Sequence, residues 1–332
     1  MMIDFGRVHR NRPHLFADAV EIMCVFGEIG YVSKVDALTL GETSIRPADE
    51  LLDLDEEDLD EDEFPDDLPS AGIVEKLQAE VDDCFEQLEY RAACLGDCYP
   101  FVVDGENLSL KAEISSEQFL YIFLLSASRT RTFKGSKGLT QKIASQFEEV
   151  CKGALAGLMP PSSEIVAFGS GSVDRRERFG TDLHEAVENL ASFMGMGLVA
   201  GWSEGESKQG DGGIDLVGVQ RLDETEGGWN VYIGQCAAQE DEHSWEKKRS
   251  EADIDYYRSW FVPKVKSVPV MFVPVCFRTS SGRWVNARFT DNVIFMDRVR
   301  IIGQLSDRNY AGEQLISFLK DEFSDHTVFN SA

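Results

Sequence analysis

The run Gly210-Asp211-Gly212-Gly213-Ile214-Asp215-Leu216-Val217-Gly218-Val219, followed by Trp229-Asn230-Val231-Tyr232-Ile233-Gly234-Gln235-Cys236, decides how this chain is read. A glycine-rich turn delivers one carboxylate, Asp215, into an apolar, β-branched stretch of the kind that favours strands. The second stretch is also strand-like. A polar loop near Asp223–Gly228 joins the two closely enough to make them arms of a hairpin. Asp215 on one arm and Gln235 on the other then meet at one sheet edge. Metal-dependent phosphodiesterases commonly hold their ion in such a place.

Upstream, Leu183, Val187, Leu190 and Met194 recur at helical spacing behind Thr181-Asp182, a helix-start signal. Glu185 and Glu188 lie three residues apart on that helix. Glu185, Gly213-Ile214-Asp215 and Gln235-Cys236-Ala237 together resemble the PD-(D/E)XK nuclease superfamily, its Mrr-like restriction endonucleases above all. The likeness spans roughly Gly180–Arg300. It implies a restriction-endonuclease-like mixed sheet flanked by helices and a Mg2+- or Mn2+-dependent endodeoxyribonuclease. By that likeness Glu185, Asp215, Gln235 and a lysine are catalytic. The ion would be held by Asp215, the Gln235 side-chain carbonyl, the Cys236 main-chain carbonyl and Glu185. Glu148, after Phe147, competes for the upstream acid; Glu185 is preferred because it lies nearer Asp215 in the chain.

The family's lysine position holds Ala237. The substitute lysine is then expected from the next helix, at Lys247 or Lys248. Trp245 should anchor that helix against the core, and Lys248, three residues on, shares its side. Lys248 is therefore the expected catalytic cation. Two functions follow. One is a metal-dependent DNA endonuclease acting as an effector of bacterial antiphage defence. The other is a catalytically inactive nuclease-fold protein, a binding or regulatory subunit of a defence complex, for which Ala237 and the acidic charge speak.

The 332 residues carry a net charge of −27, which argues against a broad basic face for nucleic acid. Thirteen of the carboxylates crowd Asp49–Asp67 without a Lys or Arg, so residues 47–68 read as a solvated, loosely structured insertion. A sharper reading makes that run a DNA mimic shielding a basic groove. DNA contact would need a local patch, Arg175-Arg176-Arg178 or Lys247-Lys248-Arg249, or a protein partner such as an ATPase or helicase, or a second copy of the chain. No run of about 18 apolar residues is present, so no membrane span is expected. The N-terminus lacks the apolar core of a signal peptide. Seven scattered cysteines suit a reducing, cytoplasmic setting, and Cys94 with Cys98 lacks the second pair a zinc finger needs.

Elsewhere the pattern predicts an α-rich N-terminal part. Leu15–Ile22 reads as helix or strand, and Phe26–Val35 as strand. A helix carries Ile73 to Leu88, capped by Ser70, and a hairpin turns at Asp104-Gly105. A buried helix over Phe119–Ser126 is capped by Ser115 or Ser116; another begins at Thr140 and ends at Pro160-Pro161. A charged helix over His243–Trp260 follows the hairpin. Strands are then expected at Val268–Phe277, Trp284–Phe289 and Val293–Phe295, and a closing helix at Ala311–Phe323. Gly169-Ser170-Gly171 reads as a plain turn. The basic connector Arg129, Arg131, Lys134 and Lys137 lacks the P-loop pattern, and no Gly-x-Ser-x-Gly or His-Glu-x-x-His is present. The fold class is thus α/β, with an N-terminal regulatory or interaction domain over residues 1–161 and the nuclease-like domain over 162–332.

Overall fold

A computed structural model describes residues 2–6, 8–42, 71–134, 138–204, 210, 212–223, 227–238, 240, 242–305, 313–324, 326 and 329. Its centre is a five-stranded mixed sheet in the order Ile294–Met296, Val268–Phe272, Asn230–Cys236, Leu216–Gln220, Glu164–Ala167. Leu216–Gln220 and Asn230–Cys236 form the antiparallel hairpin, Leu216 opposite Gly234 and Gln220 opposite Asn230. Val268–Phe272 then adds parallel to Asn230–Cys236, and Ile294–Met296 parallel to that. A parallel neighbour needs a crossover. The helix Glu242–Glu251 and the short turn of 3-10 helix Ile254–Tyr257 lie within it.

Both faces of this sheet are covered, which is why its strands are apolar almost throughout. Leu216, Val270, Phe272 and Met296 join a core that includes the Leu139–Leu158 helix. Val217, Val219, Val231 and Ile233 pack with the Leu183–Met194 helix instead. Gly218 is needed for the first of these contacts. A β-carbon there would come within 2.3 Å of Met159 Sδ and 3.6 Å of Leu155, so any side chain would have to displace the Met159 thioether.

The N-terminal part is helical, with one three-stranded sheet of Tyr31–Ser33, Asn107–Leu110 and Phe101–Val103. Leu15–Ile22 falls within a helix, Pro13–Phe26, with proline in its first turn. Ser115 caps the helix Ser116–Ser128 through a reciprocal capping box with Gln118, and every residue from Gln118 to Ser128 is buried.

The largest apolar cluster crosses Pro160-Pro161, expected as a domain boundary, while a second lies wholly beyond it, from Val166 to Phe261. One continuous cluster runs from Val8 through Phe123 and Leu155 to Phe272, Leu305 and Phe329. At its heart is an ion network with fully buried side chains. Arg91 donates to Asp18 and Glu21, both at 2.7 Å. Arg298 meets Asp18 at 2.8 Å and the Tyr121 hydroxyl at 3.1 Å. Tyr99 donates to Glu21 at 2.7 Å. Desolvating such charges is costly, and two arginines facing two carboxylates keep the group balanced. Burial pushes the Asp18 carboxyl up, but Arg298 and Arg91 outweigh it and hold it below its ordinary value.

Several elements differ from the sequence reading. The helix expected from His243 to Trp260 stops at Glu251, and the chain re-enters as a 3-10 turn begun by Asp253, whose side chain accepts from the Asp255 N–H. The strand expected over Val268–Phe277 ends at Phe272, two residues before Pro274, which cannot donate to a ladder. Trp284–Phe289 is not a strand: Trp284 makes a lone bridge to Arg278, and Ala287–Thr290 is a 3-10 turn. The helix assigned to a Thr140 cap starts at Leu139, after Gly138 at φ 81°. The acidic insertion 47–68, the Ser70 cap and Ala311 lie outside the described residues; helices are described over Ala71–Leu95 and Glu313–Glu322. Among the described residues no helix is long and apolar enough to cross a membrane.

Candidate functional site

The turn before Asp215 is built on two glycines in the left-handed region, Gly212 at φ 64° and Gly213 at φ 84°. A β-carbon on Gly212 would lie 2.2 Å from the Trp260 ring, and one on Gly213 would lie 3.2 Å from the Glu251 carboxylate. Both backbone twist and close packing therefore require glycine. The turn leaves Asp215 at the mouth of the hairpin, its carbonyl accepting from the Phe168 N–H at 2.7 Å.

Asp215 is almost completely buried, and Gln235 is fully so. Asp215 Oδ2 accepts from the Cys236 main-chain N–H at 2.8 Å. Lys248 Nζ donates to the same oxygen at 2.8 Å and to Gln235 Oε1 at 3.1 Å. The Gln235 amide orientation is fixed from its other end: Nε2 donates to the carbonyls of Gly213 and, at 3.3 Å, Glu251. With both carbonyls demanding a donor, Oε1 must face the ammonium. The Tyr257 hydroxyl adds a bond to the Gly213 carbonyl at 3.0 Å.

Lys248 is carried by the Glu242–Glu251 helix. Trp245, fully buried, fixes that helix against Phe277, Phe289 and Phe295 at ring separations of 5.1, 5.6 and 5.9 Å. Burying an indole is worth on the order of 4–6 kcal/mol before ordering costs, enough to hold the helix in one rotation. Lys248, one turn on, is thereby aimed inward. Lys247 points to solvent, its side chain 76% exposed and 3.5 Å from Glu251. Burial alone would lower the Lys248 pKa; the Asp215 carboxylate, by charge and by hydrogen bond, outweighs it and holds the ammonium above the ordinary lysine value. Ala237 is buried in the cluster with Trp245, so the strand position that resembles the family's lysine site is core in this chain.

Glu185 is not brought to this group. It sits in the first turn of the Leu183–Met194 helix, its N–H bonded to the Asp182 cap at 3.2 Å. Its carboxylate folds back over Gly180, where a β-carbon would lie 2.8 Å from Oε2. An acid in a first turn is favourable for the helix dipole, a structural reason for it to be there. Glu148 lies nearer. It projects from the Leu139–Leu158 helix toward Gly169, next to the residue that bonds the Asp215 carbonyl; a β-carbon on Gly169 would be 3.1 Å from Oε2. The charges of Glu148 and Asp215 both act on the Cys151 and Cys236 thiols, which are hydrogen-bonded to each other and pushed up chiefly by burial. The signal for Glu148 was Phe147-Glu148 itself, outweighed by sequence distance. Cys151, Glu251 and Tyr257 carried no motif and were legible only once the helices were placed.

The basic patch at Arg175-Arg176-Arg178 is largely consumed by the fold. Arg175 is buried and donates to the Gly210 carbonyl at 2.7 Å, while Arg178 pairs with Glu164 at 2.7 Å. Arg249 of the second patch donates to the Arg288 carbonyl. Among the described residues no three His, Cys, Asp or Glu side chains gather as a metal-binding group. No protein-family model, curated protein or solved structure matches this chain.

Proposed function

We propose that the protein is a metal-dependent DNA endonuclease of PD-(D/E)XK type, an effector in antiphage defence, whose cation has moved from strand to helix. One observation carries the reading: an ammonium from a separate helix, Lys248, lies within hydrogen-bonding distance of both Asp215 and Gln235. An aspartate, a carboxamide oxygen and a lysine converging at the mouth of a hairpin are the set this chemistry needs, and Ala237 alone could not supply the charge.

The oxygen donors fit a hard ion that keeps most of its waters and leans on substrate phosphate for the rest. Asp215 and Gln235 Oε1 would hold Mg2+ or Mn2+, with Glu148 as the neighbouring carboxylate; the bound ion supplies charge neutralisation at a phosphodiester and a more acidic water. Lys248, held above the ordinary lysine value, stays protonated at neutral pH. It therefore serves as a hydrogen-bond donor and fixed positive charge, not as a general base. Aimed where negative charge develops on the phosphoryl oxygens, such a preorganised donor lowers the barrier without reorganising. Gln235, locked by the Gly213 and Glu251 carbonyls, keeps Lys248 from swinging away.

The test is nicking of supercoiled plasmid with Mg2+ or Mn2+ by wild type, Asp215→Asn and Lys248→Ala. Cleavage lost in both variants and in chelator is expected, with DNA affinity little changed in Lys248→Ala. Undiminished nicking by Lys248→Ala would remove the lysine from the chemistry. The competing reading, an inactive binding subunit, is favoured by the ammonium bridging Asp215 Oδ2 and Gln235 Oε1, where it already neutralises the carboxylate. Wild-type protein that binds DNA and never cleaves it, with either ion, would establish that reading instead.

A further inference from the structure

Residues 278–300 carry five arginines against two aspartates, in a chain whose 59 Asp and Glu outnumber its 32 Lys and Arg. Two of the five are spent within the fold: Arg298 is buried in the network with Asp18, and Arg278 gives its Nε to Asp297 at 2.9 Å. Arg283, Arg288 and Arg300 are exposed, and Arg249, on the Glu242–Glu251 helix, adjoins Arg288 by donating to its carbonyl. Among the described residues none of these four lies within 4.0 Å of a carboxylate. Elsewhere Arg91, Arg129, Arg178 and Arg221 each meet one. Unpaired like charges gathered on one surface repel one another, and a partner of opposite charge relieves that repulsion.

One aromatic cluster holds the four together. Phe289, from the turn that carries Arg288, packs on Trp245, from the helix that carries Arg249, at 5.6 Å. Phe289 meets Phe295 at 5.9 Å, and Phe295 meets Trp284, next to Arg283, at 5.5 Å. Arg300 lies 4.9 Å from the Trp284 ring. The patch begins at the candidate site, because Lys248 precedes Arg249 on the same helix and reaches Asp215. Most of its donors stay open. Arg249 and Arg300 each commit one terminal nitrogen to a main-chain carbonyl, and Arg283 Nε donates to Ser281 at 3.4 Å. A guanidinium has five donor hydrogens in a planar fork that suits phosphate. The same two segments expose Glu246 and Asp291 against Lys247 and the arginines, so the balance is positive.

The rings narrow the kind of polyanion. Single strands are held by bases stacked on open aromatic faces. Here Trp245, Phe277, Phe289 and Phe295 are buried, and Arg278 covers Trp284 at 3.3 Å. Contact on this patch is therefore to backbone phosphates, as a duplex presents them. We propose that Arg249, Arg283, Arg288 and Arg300 grip the phosphates of double-stranded DNA without reading its sequence and lead it past Lys248. The choice of a phosphodiester as ligand rests on the nuclease reading of the Asp215 site.

Fluorescence anisotropy of the full chain with a short labelled duplex, in chelator and across a range of salt, tests it. Arg283→Ala and Arg288→Ala should each lessen the slope of log affinity against log salt by about 0.9, and the double variant should bind about tenfold more weakly or worse. Both side chains are exposed, so the unfolding midpoint should stay at the wild-type value. Lys76→Ala, at an exposed cation on the Ala71–Leu95 helix, should change neither slope nor affinity. No duplex bound by wild type, affinity unchanged in the double variant, an equal loss in Lys76→Ala, or a single strand or polyglutamate bound as tightly as duplex would overturn the proposal. Plasmid nicking by wild type alongside any of these results leaves the nuclease reading standing. A duplex gripped through these arginines but never nicked, with Mg2+ or Mn2+, removes the nuclease reading alone.

Discussion

Replacing Lys248 by methionine keeps most of the side chain's volume and removes its charge, which isolates the ion pair with Asp215. The carboxylate is 8% exposed and the lysine side chain 29%, so the pair is neither a surface bridge nor a fully dry one. Breaking a fully buried pair costs about 3–5 kcal/mol, and a surface pair is worth about 0–1. Partial exposure, with the Cys236 N–H still bonded to Asp215, places Lys248→Met at about 1–3 kcal/mol. Asp215→Asn added to Lys248→Met should recover part of this loss, because the stranded charge is gone. Urea unfolding of wild type, both single variants and the double variant gives the coupling, expected at about 1–3 kcal/mol. Because the folded lysine pKa lies above the unfolded one, the contribution is whole below the ordinary value of 10.5 and lost only as pH rises through the raised value. The coupling should therefore be flat through neutral pH. A coupling within the roughly 0.3–0.5 kcal/mol of simple additivity would refute the inference that Lys248 is held by Asp215.

Glu148→Gln should abolish plasmid nicking while Glu185→Gln leaves it within a fewfold of wild type; the reverse order would restore Glu185 as the upstream acid. Gly218→Ala should cost about 1–3 kcal/mol in urea unfolding through overlap with Met159, and adding Met159→Ala should return part of it. Arg298→Met should cost about 3–5 kcal/mol, since Asp18 is left charged and buried; Asp18→Asn in the same chain should recover a portion, seen as a raised unfolding midpoint.

The sheet was readable because its strands obey simple rules. Leu216–Gln220 and Asn230–Cys236 are apolar, β-branched and joined by a short polar loop, so local chemistry alone implies their pairing. Lys248 could be chosen over Lys247 because a tryptophan three residues earlier has only one way to face a core. Glu185 and Glu148 could not be ranked the same way. Each lies on a helix with an apolar face, and which helix reaches Asp215 depends on packing between elements far apart in the chain. The false strand at Trp284–Phe289 has a similar origin: Phe289 joins the Trp245 cluster from a 3-10 turn and Trp284 packs against it from the segment before, contacts that local sequence does not show. That the largest apolar cluster crosses Pro160-Pro161 was hidden because prolines end a helix whether or not the packing ends there.

The buried network has a consequence for how the chain is made. Asp18 and Arg298 are 280 residues apart in sequence. At translation rates of roughly 5–20 residues per second, Asp18 emerges about 14–56 s before its partner exists. Through that interval Arg91 is the one arginine of the network available to two carboxylates, so the first helix cannot be buried in its final place without leaving a charge unmatched. Burying Asp18 before Arg298 exists would strand part of its charge, a penalty of about 3–5 kcal/mol against early closure of this core. A chain truncated before Arg298 would carry Asp18 and Glu21 with Arg91 as their one arginine partner in this network.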